Sequence, residues 1–384
     1  MNILIKLQKN KGWKITKNKG YELWFKGYLN NGSINLLIAE LIKISFDQKK
    51  TISFFRNLDG HYAIIFARNN RLLVGGDLIS SIPLMIKKNK NQIIISDSYK
   101  NILNVCNVKQ ELNIDNFQAR HFAMTGYTFG ENSLFKEIKI TYPGTFYLFK
   151  RNKFIKIKYH SWTPYKKNKN KNSIQIKNNL KKLNIKIIEK LIASCKNKCI
   201  VIPLSAGLDS RFILSGLVHM GYKNIRTFSY GREHNREKKV AKDISEYLNI
   251  PWTFIKFSNF NQKKTLLSKN YKGFKEFSDV TTSIHFPQDF HAIEYLKSND
   301  IIAKDSIFVN GQTGDFISGN HIQITNNKAS LNDIIDLYFK KNYKMWRSLL
   351  LDNKKTMTNI IKERIYSFRK SKINSDFILE ALQK

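Results

Sequence analysis

The chain has 384 residues, 42% of them hydrophobic, and carries 66 Lys and Arg against 29 Asp and Glu, a formal net charge of +37. That length predicts two or three domains, with enough apolar residues for real cores. The three cysteines, Cys106, Cys195 and Cys199, are too sparse and irregular for a disulfide framework or a zinc site, which argues for a reducing compartment. No run approaches the ~18 apolar residues of a membrane span. The start Met1-Asn2-Ile3-Leu4-Ile5-Lys6 meets charge too soon for a signal peptide. A cytoplasmic location is the resulting expectation. The lysines are spread from Lys6 to Lys384 among Asn and Ile, with no basic helix set apart and no RNA-binding aromatic signature. The charge therefore reads as compositional drift rather than a nucleic-acid interface.

Residues 1 to about 160 read as strands and turns with one early helix. Tyr21 to Tyr28 is aromatic-rich and strand-like. Ile34 to Ile44 spaces Leu, Ile and Ala as a helix does. Gly60 to Ala67 is a buried strand by its continuous apolar run, Arg68-Asn69-Asn70-Arg71 a hairpin turn, and Leu72 to Asp77 the return strand. Leu84-Met85-Ile86 follows Pro83, and Ile93 to Ser96 follows a turn at Asn89 to Asn91. Such a pattern predicts a layered α+β domain. Pro164 to Asn172, almost all Lys and Asn, reads as a linker.

The second half alternates. A helix is predicted over Ile174 to Leu191, then strand Cys199 to Leu204, helix from Phe212 to Met220, strand Asn224 to Gly231, helix Glu237 to Leu248, strand Trp252 to Ile255, and strand Ile307 to Asn310. Strand and helix in alternation predict a parallel, doubly wound sheet with ligands at the carboxyl ends of its strands. Leu204, Ser205, Tyr230 and Gly231 should then be neighbours. The loop Ser205-Ala206-Gly207-Leu208-Asp209-Ser210 joins strand to helix with small and hydroxylic residues. Such a loop cradles phosphate through backbone N–H groups, hydroxyls and the positive helix end. The same residues also fit an ordinary strand-to-helix turn capped by Asp or Ser. No Gly-Lys-Ser/Thr closes the loop, so the Walker pattern is not met.

The loop resembles the Ser-Gly-Gly-x-Asp-Ser pyrophosphate loop of ATP pyrophosphatases, most of all that of the asparagine synthetase group, with Ala206 in place of a Gly. Leu58-Asp59-Gly60-His61-Tyr62-Ala63, Gly76-Asp77-Leu78-Ile79-Ser80-Ser81-Ile82-Pro83-Leu84, Ile95-Ser96-Asp97 and Tyr142-Pro143-Gly144-Thr145-Phe146 resemble successive blocks of that group's class II glutamine amidotransferase domain. Gly311-Gln312-Thr313-Gly314-Asp315-Phe316-Ile317-Ser318-Gly319 resembles its Gly-Glu-Gly-Ala-Asp-Glu-Leu-Phe-Gly-Gly loop.

The resemblance implies an Ntn-type αββα sandwich over 1–162, a linker over 163–172, and an adenine nucleotide alpha-hydrolase-like α/β doubly wound sheet over 173–384. It implies a ligase that uses ATP and Mg²⁺ to adenylate a carboxylate and transfers ammonia to it, releasing AMP and pyrophosphate. The acceptor would be a small-molecule or nucleotide-sugar carboxylate, aspartate or a sugar uronic acid. Leu204 and Tyr230 would meet adenine through their backbones, with Gly231 beside them. Ser205, Gly207, Asp209 and Ser210 would hold phosphates, Gly311 would bind the nucleotide with them, Asp209, Ser210 and Asp315 would be the catalytic residues, and Asp209 and Asp315 would hold magnesium. An Asp at 315 also fits a helix cap.

Departures are as informative. The family's nucleophile is a Cys after the initiator Met, whereas position 2 is Asn2. Of its Asn-Gly-Glu loop only Gly27 has a counterpart, so glutamine hydrolysis is expected to be lost, and Cys106 reads as packing. Gln312 and Phe316 replace two family glutamates. The family's later Lys and Arg have no counterpart in a chain shorter than its members, with Lys304 or Arg232 as substitute charges. These departures leave an alternative open, a relic without catalysis that binds ATP or a partner.

Overall fold

The computed structural model describes residues 2–89, 92–105, 112–150, 153–161, 172–279, 281–312, 314, 331–343, 354–360 and 362–363. The chain clusters into two compact units. The first comprises Met1–Pro164, Lys275–His285 and Asn327–Lys384; the second comprises Tyr165–Phe274 and Phe286–Asn326.

In the first unit the elements are β1 (Asn2–Lys6), β2 (Lys14–Asn18), β3 (Tyr21–Leu29), α1 (Ile34–Ile44), α2 (Gln48–Asn57), β4 (Gly60–Arg68), β5 (Arg71–Gly76), β6 (Met85–Lys88) and β7 (Gln92–Ser96). They continue with α3 (Tyr99–Val105), α4 (Asn116–Thr125), β8 (Ile138–Ile140), β9 (Thr145–Lys150) and β10 (Lys153–Lys158). Six strands form one antiparallel sheet in the order β10-β9-β5-β4-β3-β2. Four form a second in the order β1-β7-β6-β8, in which β1 runs parallel to β7.

Strand alternation sorts these residues into layers. Phe25, Ile64, Phe66, Phe146 and Leu148 face α1 and α2, burying Leu37, Leu41 and Phe55. Trp24, Ala63, Ile65, Leu72, Val74 and Tyr147 meet Ile86, Ile93 and Ile95 of the smaller sheet, with Leu84 just ahead of β6. Met85, Ile94, Ile138 and Ile140 pack on Ile102 of α3. The layers thus run helix, sheet, sheet, helix.

The β4–β5 hairpin turns as its sequence requires. Asn69 and Asn70 both take positive φ, 49° and 55°, the paired left-handed conformation that follows strand twist and that Asn tolerates. The one-helix expectation is corrected: α2, α3 and α4 follow α1. Helix α2 is amphipathic, burying Thr51 and Phe55, and Asp47 caps it through Lys50 N–H. Its apolar set Ile52, Phe54, Phe55 and Leu58 is short enough to pass for part of a strand. Asp77 fixes the turn after β5. It is buried and accepts hydrogen bonds from the N–H groups of Tyr62 (3.0 Å), Ile79 (3.0 Å) and Ser81 (3.1 Å), and from the Ser81 hydroxyl. Cys106 and the expected linker at 163–171 lie outside the described residues.

In the second unit, α5 (Ser173–Cys195) leads to β11 (Ile200–Pro203), α6 (Leu208–His219), β12 (Ile225–Gly231), α7 (Arg236–Tyr247) and β13 (Trp252–Lys256). Then come α8 (Asn259–Leu266), α9 (Lys269–Ser278, which runs on into the first unit), α10 (Phe290–Ser298) and the two-residue β14 (Ile307–Phe308). A further helix, α11 (Leu331–Asn342), belongs to the first unit.

The second unit's sheet is parallel throughout, in the order β13-β12-β11-β14. Ile200, Ile202 and Leu204 point to one face, among Leu214 and Leu217 of α6, Ile188 of α5 and Ala241 of α7. Val201, Phe228 and Ile255 point to the other, among Ala292 and Leu296 of α10. Helices on both faces and a purely parallel ladder make this an α/β, doubly wound unit. Cys199 stands half-buried just ahead of β11, while Cys195 at the end of α5 is the fully buried thiol. Burial raises both above the usual thiol range.

Candidate functional site

The chain builds β11, β12 and β13 in succession toward one edge, then crosses to place β14 on the other side of β11. The strand order therefore reverses between β11 and β14. Loops leaving neighbouring strands diverge at such a switch point and open a crevice at the carboxyl ends. Residues 204–207 leave the first strand and residues 309–312 and 314 follow the second, and both sequence motifs begin there.

The first loop is held by its serines. Ser205 N–H donates to Ser210 Oγ at 3.2 Å, the two hydroxyl oxygens are 3.2 Å apart, and Ser205 Oγ accepts Gly207 N–H at 3.1 Å. Ser210 is 4% exposed, so its hydroxyl fixes the loop from beneath. Helix α6 starts at Leu208, four residues before the expected Phe212, so Asp209 and Ser210 lie in its first turn. Its N-cap is Gly207, with no side-chain cap. Helices α1, α2, α4, α5, α7 and α8 are all capped by Ser, Asp or Asn side chains. A cap is worth ~1 kcal/mol; α6 forgoes it and leaves the donors of its first turn directed out of the helix end. Arg211 Nε bonds Gly207 O at 3.0 Å.

The second loop lies on this helix end. A Cβ added to Gly311 would fall 2.8 Å from Ser210 N and 2.9 Å from Asp209 Cβ, and one added to Gly314 would run into the Asp209 carboxylate. Gly314 N–H donates to Gly311 O at 3.0 Å, and Gln312 N–H to Asn310 Oδ1 at 3.3 Å. Two stretches about a hundred residues apart thus meet at Asp209, and the second carries glycine where it touches.

Leu204 is buried, with its N–H given to Phe228 O at 2.8 Å and its carbonyl accepting the Ser229 hydroxyl at 2.6 Å. Its backbone offers a ligand only the carbonyl's second lone pair. Tyr230 and Gly231 end β12 on the same edge. The Tyr230 ring stacks on Phe257 at 4.7 Å and its hydroxyl donates to Asp289. Burial, then that carboxylate, pushes the phenol above the usual tyrosine range. Phe257, His291 and Asp289 give no motif in sequence; their only signal is position after β13 and at the start of α10.

Arg232 follows Gly231 at this end of the sheet, whereas Lys304 precedes β14 and lies at the opposite, amino end. Lys304 is thereby corrected as a source of charge for the loops. Asp315 and Phe316 lie outside the described residues. Among the described residues no cluster of three or more His, Cys, Asp or Glu is arranged to hold a metal, and no helix is long and apolar enough to cross a membrane. A magnesium ion on a nucleotide needs only one or two protein carboxylates beside the phosphates, and the donor set here, one carboxylate at an uncapped helix end with two hydroxyls, fits such an ion pair.

No family model matches the chain. Over 120 residues it is 25% identical to the 7-cyano-7-deazaguanine synthase of Pseudoalteromonas translucida, covering 31% of this chain and 50% of that one. It is 26% identical over 120 residues to the enzyme of that name from Caldicellulosiruptor saccharolyticus, covering 31% and 48%. The chain thus spans about half the length of the curated relatives it matches. Among solved structures it is similar to the glutamine phosphoribosylpyrophosphate amidotransferase of B. subtilis, with TM-score 0.26, 12% identity and 66% and 52% of the two chains covered. The NH3-dependent NAD synthetase of Campylobacter jejuni gives TM-score 0.27, 12% identity and 53% and 90% coverage. Structural likeness at this level carries no argument.

Fold and site together define a parallel, doubly wound α/β unit with a strand–loop–helix crevice at its switch point. The particular proteins that the chain resembles, over 120 of its residues, are 7-cyano-7-deazaguanine synthases.

Proposed function

We propose that the crevice of the second unit binds ATP and that the chain is an ATP-dependent amide ligase of the asparagine synthase type, adenylating a carboxylate and transferring ammonia with release of AMP and pyrophosphate. One observation carries the reading: the 311–314 loop packs on the uncapped start of α6 at Asp209, at the switch point of the sheet. The first-turn N–H groups of α6 and the Ser205 hydroxyl, backed by Ser210, are donors for phosphate oxygens. A carboxylate beside a phosphate repels it unless a cation lies between them. In this reading Asp209 would hold Mg²⁺, with Asp315 as the second carboxylate. When bound, the ion neutralises charge developing on the leaving pyrophosphate. The residues of the chain contribute positioning and fixed dipoles. The layered first unit supports the Ntn-type sandwich of this reading, and Asn2, a carboxamide in β1, supports free ammonia rather than glutamine as nitrogen donor. The domain limits expected at 162 and 173 belong to the same proposal, as does an acceptor that is aspartate or a sugar uronic acid.

Gln312 favours a second reading. It places a carboxamide, where the resembling family has a glutamate, in the loop that meets Asp209. A relic that binds ATP without turnover would have that substitution.

The test is pyrophosphate release from ATP and Mg²⁺ with ammonium chloride and a panel of aspartate and UDP-uronic acids, with Asp209→Ala as control. Release that requires one acid and Asp209 is the expected result. ATP binding without release under any condition would leave the relic; no ATP binding would sink the ligase and any relic but one that binds a partner.

A further inference from the structure

Helix α5 has two apolar stripes, and among the described residues only one is buried. Ile188 and Cys195 are buried, with Ile188 against Gly216 of α6, where a Cβ would come within 2.8 Å of Ile188 Cγ1. A second stripe, Ile176, Leu180, Leu183 and Ile187, recurs at spacings of four, three and four and is about half exposed throughout, from 48% at Ile176 to 55% at Leu180. That is the seam of a two-stranded coiled coil rather than the broad face of an interfacial helix. Leu180 also lines a groove of about 750 Å³ between α5 and α6, with Phe212 and Met220 on its far wall.

Charge selects the occupant. Helix α5 carries Lys177, Lys181, Lys182, Lys186 and Lys190 against the single acid Glu189. Lys177 flanks the stripe on one side and Lys186 on the other, the positions that set partner choice in coiled coils. A second copy would bring a second positive helix to the seam, with Glu189 as its single acid. An acidic helix would pair with them.

We propose that the exposed stripe of α5 docks an acidic amphipathic helix of a partner protein, its leucine-like seam on Ile176, Leu180, Leu183 and Ile187 and its carboxylates toward Lys177 and Lys186. The proposal does not depend on the ATP reading.

A labelled synthetic peptide of three heptads, Leu at the seam positions and Glu at the flanks, tests it by fluorescence anisotropy on the full chain. Saturable binding is expected, weakened about tenfold or more in a Leu180→Asn, Leu183→Asn double variant and weakened by salt. Both positions are exposed, so the variant should keep the wild-type circular dichroism and melting curve. Three outcomes would each overturn it: equal binding of a scrambled peptide of the same composition, equal binding by the double variant, or no saturable binding. Binding to phosphatidylserine vesicles that the double variant loses, without peptide binding, would make the stripe a membrane contact instead.

Discussion

Gly311 lies against the backbone of Ser210, so close that a Cβ would stand 2.8 Å from the Ser210 nitrogen. The neighbour is backbone at the start of a helix and cannot turn aside. Gly311→Ala is therefore expected to cost about 1–3 kcal/mol through overpacking, read as a lowered urea midpoint. Gly314→Ala meets the Asp209 carboxylate, which can rotate; it should disturb ATP affinity more than stability. Wild-type stability in Gly311→Ala would mean that the two loops are not in contact in solution.

Ser210 and Asp209 separate structure from chemistry. Ser210→Ala removes the acceptor of Ser205 N–H in a buried setting and should lower stability by ~1–2 kcal/mol. Asp209→Asn keeps the shape and should leave the melting curve nearly unchanged. It should abolish pyrophosphate release and reduce Mg²⁺-dependent ATP binding. Full activity in Asp209→Asn would remove the carboxylate from the reaction.

Tyr230→Phe tests how the end of β12 is used. The hydroxyl is committed to Asp289 and the ring to Phe257. Stability should fall by about 1–2 kcal/mol as Asp289 loses its donor. ATP affinity should change by less than about threefold, because the contact proposed for Tyr230 is through its backbone. A loss well beyond that would show that the side chain itself meets the nucleotide.

His121 makes stability fall in acid. Its Nδ1 lies 2.8 Å from Tyr127 O and its Nε2 2.8 Å from the Tyr343 hydroxyl, so the carbonyl fixes the proton on Nδ1 and Tyr343 donates to Nε2. Burial lowers its pKa, although the bond to the Tyr127 carbonyl opposes this. The unfolded chain takes up a proton near pH ~6.5 while the folded chain does not. The contribution of His121 is therefore constant above that pH and becomes unfavourable as pH falls below it. The urea midpoint should drop between pH 7 and 5, and His121→Gln should flatten the slope. An NMR titration placing the His121 ring above 6.5 would contradict the sign.

Local rules were readable wherever neighbours in sequence are also neighbours in space. Helix α1 runs from Ile34 to Ile44 as its spacing predicts, and the turn at Asn69-Asn70 forms because both residues tolerate positive φ. Helix α2 was missed because its packed side chains are few, and β1 because its parallel partner β7 lies some ninety residues away. Leu204 shows the same limit at the site. Its apolar run marks a strand, but that its N–H is already given to Phe228 appears only once β11 and β12 are paired.

Local conformational preference sets the parts of the crevice: a strand, a small-residue loop, an acidic first helical turn and a glycine-bearing second loop. Tertiary structure alone decided that β14 lies beside β11 and that Gly311 and Gly314 close on Asp209. Strand order depends on the burial of two sheet faces by α5, α6, α7 and α10 at once. No single segment carries that free energy, so no single segment announces it.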